Sequence, residues 1–245
     1  MTAIKTEHLR KVYKDLVAVD DLNLEIEEGE LFSLLGVNGA GKTTTLKMLT
    51  GLAKPTSGDA FLSGHSILTD LDGVKKVVDI SMQETSIARK LTVGENIEFY
   101  AELCGKSKEE RVKIKDDLCK AFGFEKVLSK QAQKLSGGWQ RKLSIALALI
   151  SSPKILFLDE PTLGLDVIAR RELWETISSL KGKMTIILTT HYMEEAEALS
   201  DRLGIMKDGK LLFVGTKEQL FALTGKNSVE DAFIELVTRK GGAAQ

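Results

Sequence analysis

The 245-residue chain predicts an α/β fold in which a core of buried strands carries an inserted helical segment. Three observations lead there. Short apolar runs at 31–35, 77–82, 154–158 and 184–188 have the length and composition of buried strands. The first runs into Gly36-Val37-Asn38-Gly39-Ala40-Gly41-Lys42-Thr43-Thr44, which fits G-x-x-x-x-G-K-[ST], and helical spacing follows over 45–52 (Leu46, Met48, Leu49, Leu52). Between about 86 and 150 the pattern is helical throughout, unlike the mixed pattern on either side.

The strand–loop–helix is the most informative stretch. The N–H groups of a first helical turn have no internal partner, and the helix dipole adds to their pull on an anion. Gly36, Gly39 and Gly41 are expected to let the main chain wrap closely around phosphates with no Cβ in the way. In this pattern Lys42 reaches the β/γ-phosphates and the Thr43 hydroxyl holds Mg2+. A nucleotide site is expected.

Taken in order, residues 4–12 read as a first strand and 17–26 as a second, alternating one (Val17, Val19, Leu22, Leu24, Ile26). Tyr13, at the turn between them, is either a surface aromatic or a ring on which adenine stacks; spacing does not choose. Lys54-Pro55-Thr56-Ser57-Gly58 is a turn, 60–62 a short strand and 71–78 a short helix. The strand at 77–82 ends at Gln83, where open α/β sheets meet ligands. Thr92…Glu95 and Ser107…Glu110 are capping boxes for helices to about Cys104 and Phe122, stopped by Gly105 and Gly123. Leu135-Ser136-Gly137-Gly138-Trp139 opens an amphipathic run (Leu143, Leu147, Ile150). Ser136 there is either a plain N-cap or part of a second anion site.

The strand at 154–158 delivers Asp159 and Glu160. Adjacent acids at a strand end point in different directions, so Asp159 can serve a Mg2+ shell while Glu160 orients an attacking water. Asp166 is a plausible N-cap for a helix over 167–180. The strand at 184–188 ends at Thr189-Thr190-His191, which puts His191 at the same sheet edge as Gln83 and Asp159. Asp208-Gly209 between apolar runs signals a hairpin. Helices over 216–223 and 228–238, with a frayed tail at 241–245, close the chain.

Composition bounds the rest. AVILMFWYC residues make up 43% and charged residues 28%, as in ordinary soluble proteins. Lys+Arg 34 against Asp+Glu 35 leaves a formal charge of −1, so nucleic acid is not an expected partner. Cys104 and Cys119 form no C-x-x-C clip and read as core or half-buried thiols of a reducing compartment. No apolar run approaches about 18 residues, and the start lacks a charged-then-apolar leader. The expectation is a cytoplasmic chain that reaches a membrane through a partner.

The order of phosphate loop, Gln83, Leu-Ser-Gly-Gly, strand with Asp-Glu, Gly164-Leu165-Asp166 and His191 closely resembles the nucleotide-binding subunits of ABC transporters, over essentially the whole chain. The resemblance implies a P-loop NTPase (RecA-like) core with an antiparallel β subdomain and an inserted α-helical subdomain. Residues 1–85 and 151–215 would form the core, 86–150 the helical subdomain, and 216–245 C-terminal helices and tail. It implies ATP and Mg2+ as cofactors. Tyr13 would stack on adenine, and Gly36, Asn38, Gly39, Ala40, Gly41, Lys42, Thr43 and Thr44 would hold phosphates. Gln83 would touch Mg2+ and water and sense the membrane partner. Ser136, Gly137 and Gly138 would meet the γ-phosphate held by another subunit. Thr43, Gln83 and Asp159 would serve the metal. Glu160 would be the catalytic base, Asp166 would reach across a dimer, and His191 would contact the γ-phosphate. One departure stands out: the family's usual Gln at the fifth signature position is Trp139, followed by Gln140.

A site split between two faces implies a homodimer or heterodimer of such subunits closing on two ATPs, bound peripherally to an integral membrane permease at the inner face of the membrane. The stretch from His191 to Glu197, with Ser200-Asp201-Arg202, Gly215-Thr216 and Ser228 to Phe233, resembles exporters that pair with a separate permease, drug- and antibiotic-resistance types among them. An importer subunit is the alternative. A soluble ABC ATPase acting on nucleic acid or ribosomes fits less well, because there is one phosphate loop and no long heptad run. A P-loop kinase leaves Leu-Ser-Gly-Gly and Glu160 unexplained.

Overall fold

The computed structural model describes residues 1–238. Two sheets and three apolar clusters organise it. Strands β1 (Thr2–Tyr13) and β2 (Leu16–Glu27) pair antiparallel, and β1 also pairs with β4 (Ser57–Leu62). A two-residue strand, β5 (His65–Ser66), closes this four-stranded sheet in the order β2-β1-β4-β5.

The second sheet holds the buried apolar runs. Its strands are β3 (Leu31–Gly36), β6 (Val78–Ser81), β7 (Ile155–Asp159), β8 (Thr185–Thr190), β9 (Arg202–Lys207) and β10 (Lys210–Gly215). Their order is β10-β9-β3-β8-β7-β6, parallel throughout except for β10, which folds back on β9. Every residue of β3, β7 and β8 is buried, as continuous apolar strands covered on both faces should be. Chain order differs from spatial order, with β3 between β8 and β9, so the loops after β3, β6, β7 and β8 gather at one edge.

Helix α1 (Lys42–Leu49) follows β3, and α2 (Leu71–Val77) precedes β6 with Asp70 as its side-chain cap. Helix α1 begins at Lys42, three residues earlier than its apolar spacing suggests. Gly41, in left-handed conformation, starts it without a side-chain cap. The expected strand at 60–62 begins earlier, at Ser57.

Between β6 and β7 lie α3 (Val93–Leu103), α4 (Lys108–Phe122), 3-10 turns at Phe124–Lys126 and Ala132–Lys134, and α5 (Gly137–Ala148). Both capping boxes form, each satisfying two backbone donors reciprocally. The stops at Gly105 and Gly123 hold too, at φ 72° and 71°. The apolar faces of α3 to α5 pack with Leu156, Leu158 and Leu188 in one cluster. Cys119 is buried there, but Cys104, expected to be at least half-buried, is exposed at the C-cap of α3.

Helix α6 (Val167–Ser178) starts at Asp166, whose carboxylate accepts from the Ile168 and Ala169 N–H groups at 2.9 Å each. Helix α7 (Met193–Leu199) follows β8 and has no counterpart in the sequence reading. Helices α8 (Lys217–Thr224) and α9 (Val229–Thr238) pack with β9 and α7 in a third cluster. The tail at 241–245 lies outside the described residues.

The β9–β10 turn joins the two sheets. Asp208 and Gly209 both adopt positive φ, 48° and 77°. The Gly209 N–H donates to Ala40 O at 3.1 Å, and the Asp20 N–H donates to Gly209 O at 2.9 Å.

Candidate functional site

A cleft of about 570 Å³ opens where β3, β7 and β8 end. It is lined by Tyr13, Asn38, Gly39, Ala40, Gly41, Lys42, Thr43, Thr44, Gln83, Glu160 and His191, with Leu16 to Ala18, Leu163 and Asp208 completing the wall. Most residues singled out in the sequence are thus brought to one place. Tyr13 is 44% exposed at its rim, with Lys11 Nζ 4.7 Å from the ring centroid.

The loop's glycines serve two ends. Gly39 sits at φ 84° with open space where a Cβ would be, so it is there for conformation. A Cβ on Gly41 would come within 2.4 Å of Ala18 O, and one on Gly36 within 2.7 Å of Met206 O. Those two also let the loop pack closely on β2 and β9, and Gly41 holds φ 106°. Thr45 is the first helical residue whose N–H finds an intrahelical carbonyl, Gly41 O at 2.9 Å. The amides before it project from the helix start into the cleft.

Lys42 is 5% exposed and donates to Gly36 O at 2.7 Å; its Nζ lies 3.2 Å from Glu160 Oε1. Glu160 Oε2 is 2.7 Å from His191 Nδ1. One carboxylate therefore ties the phosphate-loop lysine to the histidine after β8. Glu160 holds φ 48°, an uncommon conformation for a residue with a Cβ. Its N–H is fixed by the Thr189 carbonyl and hydroxyl, each at 3.1 Å. Non-glycine residues held this way concentrate at functional sites, where surrounding structure enforces them.

Asp159 is fully buried. Its Oδ1 accepts from Thr43 Oγ1 at 3.0 Å and from Thr189 Oγ1 at 2.6 Å, while Oδ2 has no hydrogen-bond partner. A buried carboxylate oxygen without a donor is costly unless something cationic meets it. With a threonine hydroxyl beside it, the donor set suits a divalent cation that takes its remaining ligands from phosphate and water. No group of three or more His, Cys, Asp or Glu side chains could hold a metal by itself among the described residues.

The remaining candidates lie elsewhere. Ser136, Gly138, Trp139 and Asp166 line a shallow pocket of about 280 Å³ between α5 and α6, and none of them borders the large cleft. Ser136 stands at the N-cap of α5, yet its hydroxyl makes no capping hydrogen bond. Trp139 packs against Phe124 at 6.0 Å between centroids and carries Lys142 Nζ 4.9 Å above its ring, while Gln140 Nε2 donates to Leu135 O at 3.0 Å. The departure from the usual signature thus enters the packing of the helical segment.

Arg141 escaped the sequence reading. It is 5% exposed and donates to Met82 O and Gln83 O, both at 2.7 Å, tying α5 to the loop that presents Gln83. Burial lowers its pKa, and the nearby Asp159 and Glu195 carboxylates raise it again. Nothing local in the sequence marks it, because its partners are 58 and 59 residues away.

Comparison with known proteins fits this geometry. A family model described as ABC transporter matches residues 19–163. The human protein named phospholipid-transporting ATPase ABCA3 is 45% identical over 88% of this chain, and the Arabidopsis thaliana protein named ABC transporter A family member 5 is 42% identical over 93%. The chain spans 13% of the length of the first and 25% of the second. Among solved structures, an ATP-binding subunit of an ABC transporter superposes with a TM-score of 0.85 at 28% identity, covering 97% of this chain and 100% of that one. A dimeric ATP-binding cassette in a post-hydrolysis state with ADP and phosphate superposes with a TM-score of 0.77 at 28% identity, covering 87% and 98%. On the phosphate loop, the Asp159–Glu160 strand end and these matches together, the chain belongs to the ABC transporter family and carries its ATP-hydrolysing cassette.

Proposed function

We propose that this chain closes on a second, similar cassette around two Mg-ATP and uses their hydrolysis to drive export through a separate membrane permease. The carrying observation is the division of the candidate residues into two places. The cleft holds Lys42, Glu160 and His191, whereas Ser136, Gly137 and Asp166 are exposed at the α5–α6 edge. A nucleotide in the cleft of one cassette would meet the edge of the other, and a two-fold arrangement completes both sites at once. Val167 and Ile168, 65% and 72% exposed beside that edge, suit a surface that another copy covers.

Within the cleft, the base stacks on Tyr13 and the phosphates take the amides from Gly39 to Thr44. Lys42 exchanges its contact with Glu160 for the terminal phosphate. Glu160, freed on that side, accepts a proton from the attacking water, and His191 meets the same phosphate. Thr43 and Asp159, with Gln83 at the rim, would hold Mg2+, which when bound neutralises phosphate charge. Residues 86–150 would move as a helical subdomain on the core of 1–85 and 151–215.

No helix among the described residues is long and apolar enough to cross a membrane; in this reading a permease provides the path and the cassette sits at the membrane's inner face. The relatives' names make a phospholipid the first cargo to test. Light scattering of the Glu160→Gln protein with and without Mg-ATP tests the shared site: a monomer that becomes a dimer only with nucleotide supports it. A chain that stays monomeric both alone and mixed with its permease would overturn it.

A further inference from the structure

We propose that Glu195 is a positioning residue for hydrolysis, clamping the loop after Glu160 and the turn containing His191 to helix α6 so that the two keep their mutual geometry. The inference rests on the reading of Glu160 and His191 given above. Glu195 has no solvent exposure, although it sits on a seven-residue helix rich in acids. Burying a carboxyl is costly unless other groups compensate, and here the compensating groups come from three segments.

Trp174 Nε1, from α6, donates to Oε1 at 3.0 Å. The hydroxyls of Thr190, which ends β8, and Thr162, two residues past Glu160, lie against the carboxyl. They lower its pKa, against a larger upward push from burial. Thr162 Oγ1 and Glu195 Oε2 are both buried and neither has a hydrogen-bond partner, so the hydrogen bond that the carboxyl does make is the one from Trp174. Thr190 Oγ1 also accepts from the Tyr192 N–H at 2.9 Å, which fixes the turn holding His191. On the other arm, the Leu163 N–H donates to Glu160 O at 3.2 Å and the Leu165 N–H to Thr162 O at 3.1 Å, so Thr162 and Glu160 share one tight loop.

A single buried carboxyl thus stands beside a threonine from each arm of the Glu160–His191 pair while hydrogen-bonded to α6. Two charged groups act on it from neighbouring elements: Arg141 of α5, which favours its ionised form, and Glu160, which opposes it. Glu195 does not border the cleft, so its influence on ATP passes through the loops alone.

The test compares Glu195→Ala, Thr162→Val and Glu195→Gln in the full chain by single-turnover hydrolysis, ATP affinity and melting temperature. Misplacing reacting groups by about 1 Å can cost around a hundredfold in rate. Glu195→Ala is expected to slow hydrolysis at saturating ATP by at least about tenfold while ATP affinity stays within about twofold. Glu195→Gln, whose amide oxygen still accepts from Trp174, should recover most of the rate. Thr162→Val should lose part of it, and the double variant should be no slower than Glu195→Ala, as expected of residues acting together. Wild-type turnover per folded molecule in Glu195→Ala, or additive losses in the double variant, would overturn the proposal. If Glu195→Ala does not fold, Thr162→Val carries the test, and an unchanged rate there overturns it. Normal hydrolysis by Glu160→Gln would instead remove the base assignment, whatever Glu195 does.

Discussion

In the nucleotide cleft, Glu160 contacts Lys42 at 3.2 Å and His191 at 2.7 Å, with Lys42 and Glu160 almost wholly buried. At the α5–α6 edge, Ser136 caps nothing and the neighbouring Val167 and Ile168 face solvent. The same chain builds both. The difference separates what one cassette completes by itself from what, in the proposed function, a second surface would complete. A pre-assembled group loses little freedom when ligand arrives, whereas an exposed edge gains its order from a partner.

The largest effect should come from the buried side. Glu160→Gln keeps the shape and the neighbours of Glu160 but removes its basicity. General-base catalysis is worth about 10²–10⁴ in rate, so single-turnover hydrolysis should fall by that order while ATP binding survives. Normal turnover would mean that another group takes the proton. Lys42→Ala comes next. It removes charge-assisted contacts worth about 1.5–3 kcal/mol, roughly ten- to a hundredfold in ATP affinity by calorimetry. Unchanged affinity would dissolve the role given to the phosphate loop.

A smaller, more selective effect should follow from Ser136→Ala. Loss of one hydroxyl contact worth about 1 kcal/mol should weaken ATP-driven pairing several-fold, read by sedimentation. The affinity of one chain for ATP should not move. If it did, the two regions would not be separate.

The smallest effect concerns pH. Burial raises the Glu195 pKa above its ordinary 4.5, so the folded chain holds this proton more tightly than the unfolded one does. The associated stability is fully present below pH 4.5 and is lost as pH rises through the folded value. Asp79, also raised by burial, acts in the same direction. Glu195→Gln should therefore flatten the fall in melting temperature above pH 4.5, and a slope equal to that of the wild type would count against it.

Much of this was legible wherever a local signal has a local cause. The capping boxes at Thr92 and Ser107 and the Asp208-Gly209 turn depend on neighbours within a few residues and form as read, and the helix after the phosphate loop forms with an earlier start, at Lys42. What escaped depends on distance. Helix α7 starts at Tyr192 with no side-chain cap, and its inward face includes Glu195, which spoils an apolar stripe. Arg141 looks like any cation on a helix until the fold brings the carbonyls of Met82 and Gln83 to it. Cys104 seemed part of a helical face, but the chain leaves that face one residue before Gly105.

The turn at Asp208-Gly209 has a consequence beyond its hairpin. It is hydrogen-bonded to the phosphate loop through Ala40 on one side and to β2 through Asp20 on the other. The separation of β2 and the phosphate loop, two walls of the cleft, is therefore held by the backbone of this turn, whose Asp208 also borders the cleft. It works as a gauge block, holding two jaws at a fixed opening. Gly209 lies at φ 77°, and an added Cβ would come within 3.0 Å of Ala18 O, so even alanine there would spread the jaws. Such a chain would hold β2 and the phosphate loop further apart before any nucleotide arrived.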